Sequence, residues 1–313
     1  TTVEFGTLTT WLIDVITILT GNLDRPGRSM FPMAATERVR PDRTGREYRV
    51  GRWSGRVSGR PEVQAELPSA DLPGEILEPG DGQLRMMFTV AGNPVRSCPG
   101  GDRMDEAFAS LDAMVSVDLY INETTRHADV ILPPVGPLEK SHYDLAFYGL
   151  SVRNVANWSA PVLEPTGPAE DDILARIALI ALGAGAEADV ELAHSQVLHD
   201  LITAEVAASG SPVEGREVAE LLAMIEGESG ADRVLDVLVR TGPYGDGFGT
   251  EPNGLSLAML RANPHGIDLG PLRTRLPDLL STPDGRIDLF AGPFAEELER
   301  LGAVMTEHAF DQR

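Results

Sequence analysis

The residues between Met86 and Leu132 constrain the fold of this chain more than any others. Met86-Met87-Phe88-Thr89-Val90-Ala91 is a largely apolar run of strand length that stops at Gly92-Asn93-Pro94, the pattern of a buried parallel strand. Residues 102–111 carry Met104, Phe108 and Leu111 at helical spacing, and Met114-Val115-Ser116-Val117 is a second strand ended by Asp118. A short helical turn over 122–127 leads to a third strand, Val130-Ile131-Leu132, which Pro133-Pro134 stops. Strand, helix, strand, turn, strand in this order predicts an α/β fold with a doubly wound, mainly parallel sheet.

The flanks are of different character. Leu8, Trp11, Leu12, Val15, Ile16 and Leu19 recur at helical spacing before Gly21, which predicts an amphipathic helix over 7–20 whose apolar stripe is ordinary core. Gly21-Asn22-Leu23-Asp24-Arg25-Pro26-Gly27 is a dense turn signal, and little regular structure is expected from there to Gly82. Ten arginines between 25 and 60 face only Glu37, Asp42 and Glu47 within the same stretch, which suits a phosphate, an acidic neighbour or a solvated loop. Beyond Pro165 helices are predicted over 170–184, 187–208 and 218–226, with a shorter one at 234–240. A loop over 242–249 and a strand over 286–290, after the Asp284-Gly285 turn, complete the pattern. Three parts are therefore expected: a helix and arginine-rich irregular segment (1–82) packing on the α/β domain, an α/β unit (83–165), and a mainly helical portion with a C-terminal linker or strand segment (166–313).

Composition excludes several classes. A formal charge of -22 repels nucleic acid, so no nucleic-acid partner is expected. The apolar run over 8–19 is interrupted by Asp14, is too short to span a bilayer and lacks the flanks of a signal peptide, so no membrane span is expected. Cys98 is the only cysteine, which rules out a disulfide or a cysteine-ligated cluster within these residues and makes a reducing cytoplasm the expected setting. There is no phosphate loop of the Gly-Lys-Ser/Thr type, no HExxH and no GxSxG, so ATPase and the corresponding hydrolase chemistries lack support.

Ligands of open α/β sheets bind beyond the carboxyl ends of the strands. Gly92, Asn93 and Pro94 stand at one such end and Asp118 at the next. Glycine admits a close ligand, the Asn93 amide both donates and accepts, and the Asp118 carboxylate suits a ribose diol or the N–H edge of a guanine. The same residues also serve simply to close a turn and cap the following segment. Other polar groups carry less. Glu139, His142 and Asp144 form a potential acid–base cluster but also the ordinary polar content of a surface loop. His194 and His199, five residues apart, do not share a helix face. Cys98 lies in the loop after Pro94, a position of packing rather than metal ligation. No catalytic or metal-ligating residue is assigned.

The stretch from Phe88 to Glu139, with Ala-Gly-Asn-Pro, Val-Asp-Leu-Tyr-Ile-Asn-Glu-Thr-Thr and His-Ala-Asp-Val-Ile-Leu-Pro-Pro, resembles the molybdopterin oxidoreductases, the family of formate dehydrogenases, nitrate reductases and dimethyl sulfoxide reductase. The Leu19-Thr20-Gly21-Asn22-Leu23-Asp24-Arg25-Pro26-Gly27 turn resembles the family's as well, with Arg28 where a second glycine is usual, and Thr282-Pro283-Asp284-Gly285-Arg286-Ile287-Asp288-Leu289 resembles the segment before its C-terminal cofactor-binding barrel. The resemblance implies that Gly92, Asn93, Pro94, Asp118 and Thr124 contact one guanosine end of a molybdopterin guanine dinucleotide that holds molybdenum or tungsten. It also implies an internal piece of such an enzyme, since the family's metal ligand lies upstream and only 24 residues follow Leu289. The isolated chain is then expected to lack both the cofactor and activity. Its partners would be the remaining domains and a small redox substrate. A non-catalytic nucleotide-binding or scaffold module is the alternative. A nicotinamide dehydrogenase is disfavoured, because Gly92-Asn93-Pro94 is not the glycine triplet of a pyrophosphate-binding turn.

Overall fold

The computed structural model describes residues 3–38, 50–290 and 292–311. Helix α1 (Gly6–Leu19) forms where the apolar spacing predicts it. Its stripe is only partly core: Leu8 is buried, whereas Leu12, Ile16 and Leu19 are exposed. The helix meets the far end of the chain, where Trp11 stacks on Phe294 at 5.1 Å and donates its indole N–H to the Leu289 carbonyl at 3.0 Å.

The expected irregularity up to Gly82 is corrected. An antiparallel hairpin of β1 (Val50–Ser54) and β2 (Pro61–Val63) is followed by a 3₁₀ turn over Ser69–Asp71 and by helix α2 (Leu72–Leu77). Ion pairs rather than an apolar face hold this hairpin. Arg52 bonds the buried Glu62, Arg56 reaches Glu75 and Arg60 reaches Asp71, so these arginines find their acidic neighbours inside the chain. Arg40, Arg43, Arg46 and Arg49, with Asp42 and Glu47, lie outside the described residues.

The central unit has the predicted order. Strand β3 (Met86–Val90) leads through short α3 (Pro94–Ser97) and α4 (Gly101–Ala109) to β4 (Ala113–Val117), and a 3₁₀ turn at Thr125–His127 precedes β5 (Val130–Leu132). All pairing is parallel, Val90 opposite Val117 and Val117 opposite Leu132. Met104, Ala107 and Phe108 of α4, Met114 of β4 and Ile76 of α2 form one buried cluster against one face of the sheet. Burying each large side chain there contributes about 1.5–3 kcal/mol. Glycine is required at 101, where a Cβ would stand 2.5 Å from the Val95 carbonyl oxygen, so α4 can start tight against α3. Strand β3 departs from a fully buried strand, because Met86, Phe88 and Val90 alternate onto an exposed face.

Small antiparallel ribbons follow, β6 (His142–Tyr143) with β8 (Trp158–Ser159), and β7 (Asn154–Ala156) with β9 (Ile267–Gly270). The helical portion holds α5 (Glu170–Ala181), α6 (Val190–Ala207), α7 (Val218–Leu222), α8 (Gly230–Arg240), α9 (Leu257–Arg261) and finally α10 (Gly292–Asp311). Asp189, Ser229 and Ser256 cap α6, α8 and α9 by accepting from Glu191, Asp232 and Met259 N–H groups at 3.0, 3.0 and 3.2 Å. Helix α8 joins two cores: Leu235 and Val239 pack with Leu255, Leu257 and Leu260, while Val237 packs with Leu198, Ile202 and Leu221. The expected strand over 286–290 does not form. No strand pairs with it among the described residues, and Trp11 takes the Leu289 carbonyl that a neighbouring strand would use.

Candidate cofactor-binding site

Two adjacent parallel strands release their chains at the same sheet edge, which brings residues 91–95 after β3 next to residues 118–125 after β4. Ala91 stays tied to the sheet, its N–H donating to Val117 at 2.9 Å, yet it adopts a left-handed φ of 50°, a costly conformation for a residue with a Cβ. The loop therefore leaves the strand at a sharp angle. Beyond it, the Gly92 and Asn93 N–H groups have no acceptor among the described residues, and nothing crowds a Cβ built on Gly92 closer than 3.7 Å.

Asn93 ties the two loops together. Its Oδ1 accepts from the Thr124 hydroxyl at 2.8 Å, and its Nδ2 donates to Glu123 Oε2 at 2.7 Å. Thr124 is fully buried, and its oxygen also accepts the Val95 N–H at 3.2 Å. Glu123 further pairs with Arg96 at 2.8 Å. The Asn93 amide, a backbone N–H and Arg96 together hold the Glu123 carboxyl down to about 2, so the link stays charged in any ordinary buffer.

Asp118 joins the same assembly at second hand. It accepts the Tyr120 N–H at 3.1 Å and the Asn122 side-chain N–H at 3.1 Å. Asn122 in turn accepts the Thr124 and Thr125 N–H groups, each at 2.9 Å. Each Asp118 oxygen thus has one partner here and room for another, since an ionised carboxylate offers about four acceptor positions. Beside it Tyr120 and Ile121 project into solvent, 73% and 80% exposed, an aromatic and an aliphatic surface next to a carboxylate.

Gly92, Asn93, Pro94, Asp118 and Thr124 all lie on these two loops, with Asn93 and Thr124 in contact and Asp118 linked to them through Asn122. Asn122, Glu123 and Tyr120 were not singled out from sequence. The Asn-Glu-Thr-Thr run carried the signal, because Asn122 precedes Thr125 at turn spacing and its amide can organise the turn.

The remaining polar candidates are dispersed. Glu139 accepts from Gly136 N–H at 2.7 Å and from the Thr166 hydroxyl at 2.6 Å, which lower its pKa, Thr166 most. Asp144 takes the Phe147 N–H of a local turn and His142 is exposed on β6. Cys98 is half-buried against the α4 cluster. His194 bonds Asp172 at 2.8 Å and lies with Asp171 and Asp172 within 4.8 Å, but Asp171 also accepts the Ala231 N–H, so the three tie α5 and α6 to the start of α8. His199 sits apart beside Asp200 at 3.7 Å. No helix among the described residues is long and apolar enough to cross a membrane.

No family model matches the chain. Curated proteins do match it in part. It is 37% identical to the assimilatory nitrate reductase catalytic subunit of Bacillus subtilis over 78 residues, 24% of this chain and 11% of that protein. It is 25% identical to F420-dependent formate dehydrogenase 2 subunit alpha of Methanococcus maripaludis over 187 residues, 57% of this chain and 27% of that protein. It is 24% identical to the probable oxidoreductase YyaE of Bacillus subtilis over 98 residues, 31% of this chain and 14% of that protein. The matched stretches thus span well under a third of each relative. These relatives are molybdopterin oxidoreductases, and this chain is homologous to part of them.

Proposed function

We propose that this chain is the part of a molybdenum or tungsten oxidoreductase that binds one guanosine end of a molybdopterin guanine dinucleotide, through Gly92, Asn93, Pro94, Asp118 and Thr124. The observation that carries the proposal is the pair of loops at the carboxyl ends of β3 and β4, where Asp118 keeps free acceptor capacity and the Gly92 and Asn93 N–H groups lack acceptors among the described residues. This donor and acceptor set fits the group: a carboxylate accepts the two N–H donors of a guanine edge or a ribose diol, and loop N–H groups suit an oxygen-rich ligand. Tyr120 offers a ring on which a base can stack.

The bound group would supply the redox chemistry, while these residues bind and orient it. Asn93 keeps the β3 loop in register with the β4 loop, Thr124 fixes Asn93 from below, and Asn122 aims Asp118. Substrate binding and electron transfer belong to the enzyme as a whole, with its remaining domains and a small redox substrate as partners.

Calorimetric titration of the protein with GMP and with NADH tests the reading. GMP is expected to bind, and Asp118→Asn, which replaces one acceptor oxygen by a donor, is expected to weaken it about tenfold, or about 1.4 kcal/mol. Binding of NADH without GMP, or equal GMP affinity in the variant, would refute it.

A further inference from the structure

Away from the β3 and β4 loops, a cavity of about 230 Å³ opens beside the β7–β9 ribbon, lined by Phe31, Met33, Asn154, Tyr244, Leu269 and Arg273, with Arg275 at its wall. Its charges are unusual for a chain of net charge -22. The Arg275 guanidinium is half of a bidentate pair with Glu37, at 2.7 and 3.0 Å, and also reaches the Pro32 carbonyl. Arg273 has no carboxylate partner among the described residues and adds a second guanidinium to the wall.

Neutral polar groups line the same cavity. Asn154, buried on β7, accepts the Met33 N–H on Oδ1 at 2.9 Å and shares the cavity wall with Tyr244. A phenolic hydroxyl can donate its proton to a ligand oxygen. Burial raises the Tyr244 pKa above its ordinary value, so that proton is present at any physiological pH. Phe31, Met33 and Leu269 add an apolar floor.

We propose that this cavity binds a small oxyanion, a carboxylate or phosphate borne on at most a few carbon atoms, with the charge on Arg273 and one oxygen on the Tyr244 hydroxyl. The volume sets the size limit, being below the roughly 300–1,000 Å³ of sites for drug-sized ligands. An arginine and a hydroxyl lining one cavity with apolar side chains set the chemistry, because a guanidinium matches planar or tetrahedral oxyanions with two donors. The inference is independent of the nucleotide reading, which uses other loops.

Titration of the protein with acetate and with inorganic phosphate at low ionic strength, followed by calorimetry, tests it, and the tighter of the two identifies the class of oxyanion. Saturable binding is expected to fall at least tenfold in Arg273→Gln, severalfold in Tyr244→Phe, and not at all in Asn93→Ala. Arg273 is exposed, so its loss leaves the fold intact, which circular dichroism verifies. Equal affinity in Arg273→Gln and the unaltered protein overturns the proposal, as does a lack of saturable binding of both ions. Failure of GMP binding has no bearing on either result.

Discussion

Removing the Thr124 hydroxyl while keeping the shape of the side chain tests the assembly of the two loops most directly. In Thr124→Val the buried oxygen that accepts from Val95 and donates to Asn93 disappears, and a methyl group takes its place. Two partners are stranded. A hydrogen bond is worth about 0.5–1.5 kcal/mol net, and a stranded buried partner costs about 1–3 kcal/mol. Val95 and Asn93 are half-buried and regain water in part, so the total is about 1–3 kcal/mol, against little gain from one added methyl. Urea unfolding measures it: at a slope of about 2–3 kcal/mol/M the midpoint falls by about 0.3–1.5 M with the slope unchanged. Thr124→Ser separates the hydroxyl from the methyl, since it keeps both bonds and loses about 0.8 kcal/mol of apolar burial. A cycle with Asn93→Ala isolates the bond between the two residues, for which a coupling near 1 kcal/mol is expected. Additivity within about 0.3 kcal/mol, the error of such cycles, would show that Thr124 does not hold Asn93.

Two further perturbations probe ion pairs elsewhere in the fold. Asp236 on α8 is fully buried and accepts from Arg240 at 3.0 Å and from the Glu226 and Leu257 N–H groups at 2.9 Å each, so Asp236→Ala leaves Arg240 buried with Asp246 and the more distant Glu226 carboxylate at 3.6 Å, strands two N–H groups, and is expected to cost about 3–5 kcal/mol in urea unfolding; a loss under about 1 kcal/mol contradicts the network. Glu62, held to about 2 from 4.5 chiefly by its hydrogen bond from Arg52, contributes stability that is complete above about pH 4.5 and is lost as pH falls toward 2, so the gap in unfolding midpoint between the protein and Glu62→Gln closes over that window, and a gap unchanged with pH refutes the assignment.

The parts of the fold legible in the sequence are those built on apolar period. Strands β3, β4 and β5 and helices α1, α4, α5 and α6 emerge within a few residues of their bounds because each buries a face whose spacing is printed in the chain. The β1–β2 hairpin escaped notice for the opposite reason. Its β1 residues are all exposed, and its anchor is the Arg52–Glu62 pair, which has no period to detect. Strand β9 was equally hidden, since its partner β7 lies on the other side of the whole helical portion. The 286–290 segment shows the converse. Its apolar alternation fits a strand, but a strand exists only through its partner, and here an indole N–H meets the carbonyl instead.

For the candidate site, strand ends alone mark where a ligand can approach, and Asn93 and Asp118 follow the ends of β3 and β4. What could not be named is which residue decides where they point. Asn122 does this with an amide whose oxygen gathers two turn N–H groups and whose nitrogen steadies Asp118, yet in sequence it is one more turn-forming asparagine. Glu123 reads as a surface acid, although its carboxylate meets Asn93 and Arg96 across the gap between loops. Asn122 acts on partners within its own loop, whereas Glu123 meets partners about thirty residues away, a pairing that follows from the parallel register of β3 and β4. Period therefore reveals the platform, whereas the orientation of the groups on it depends on hydrogen bonds that only the assembled strands bring within reach.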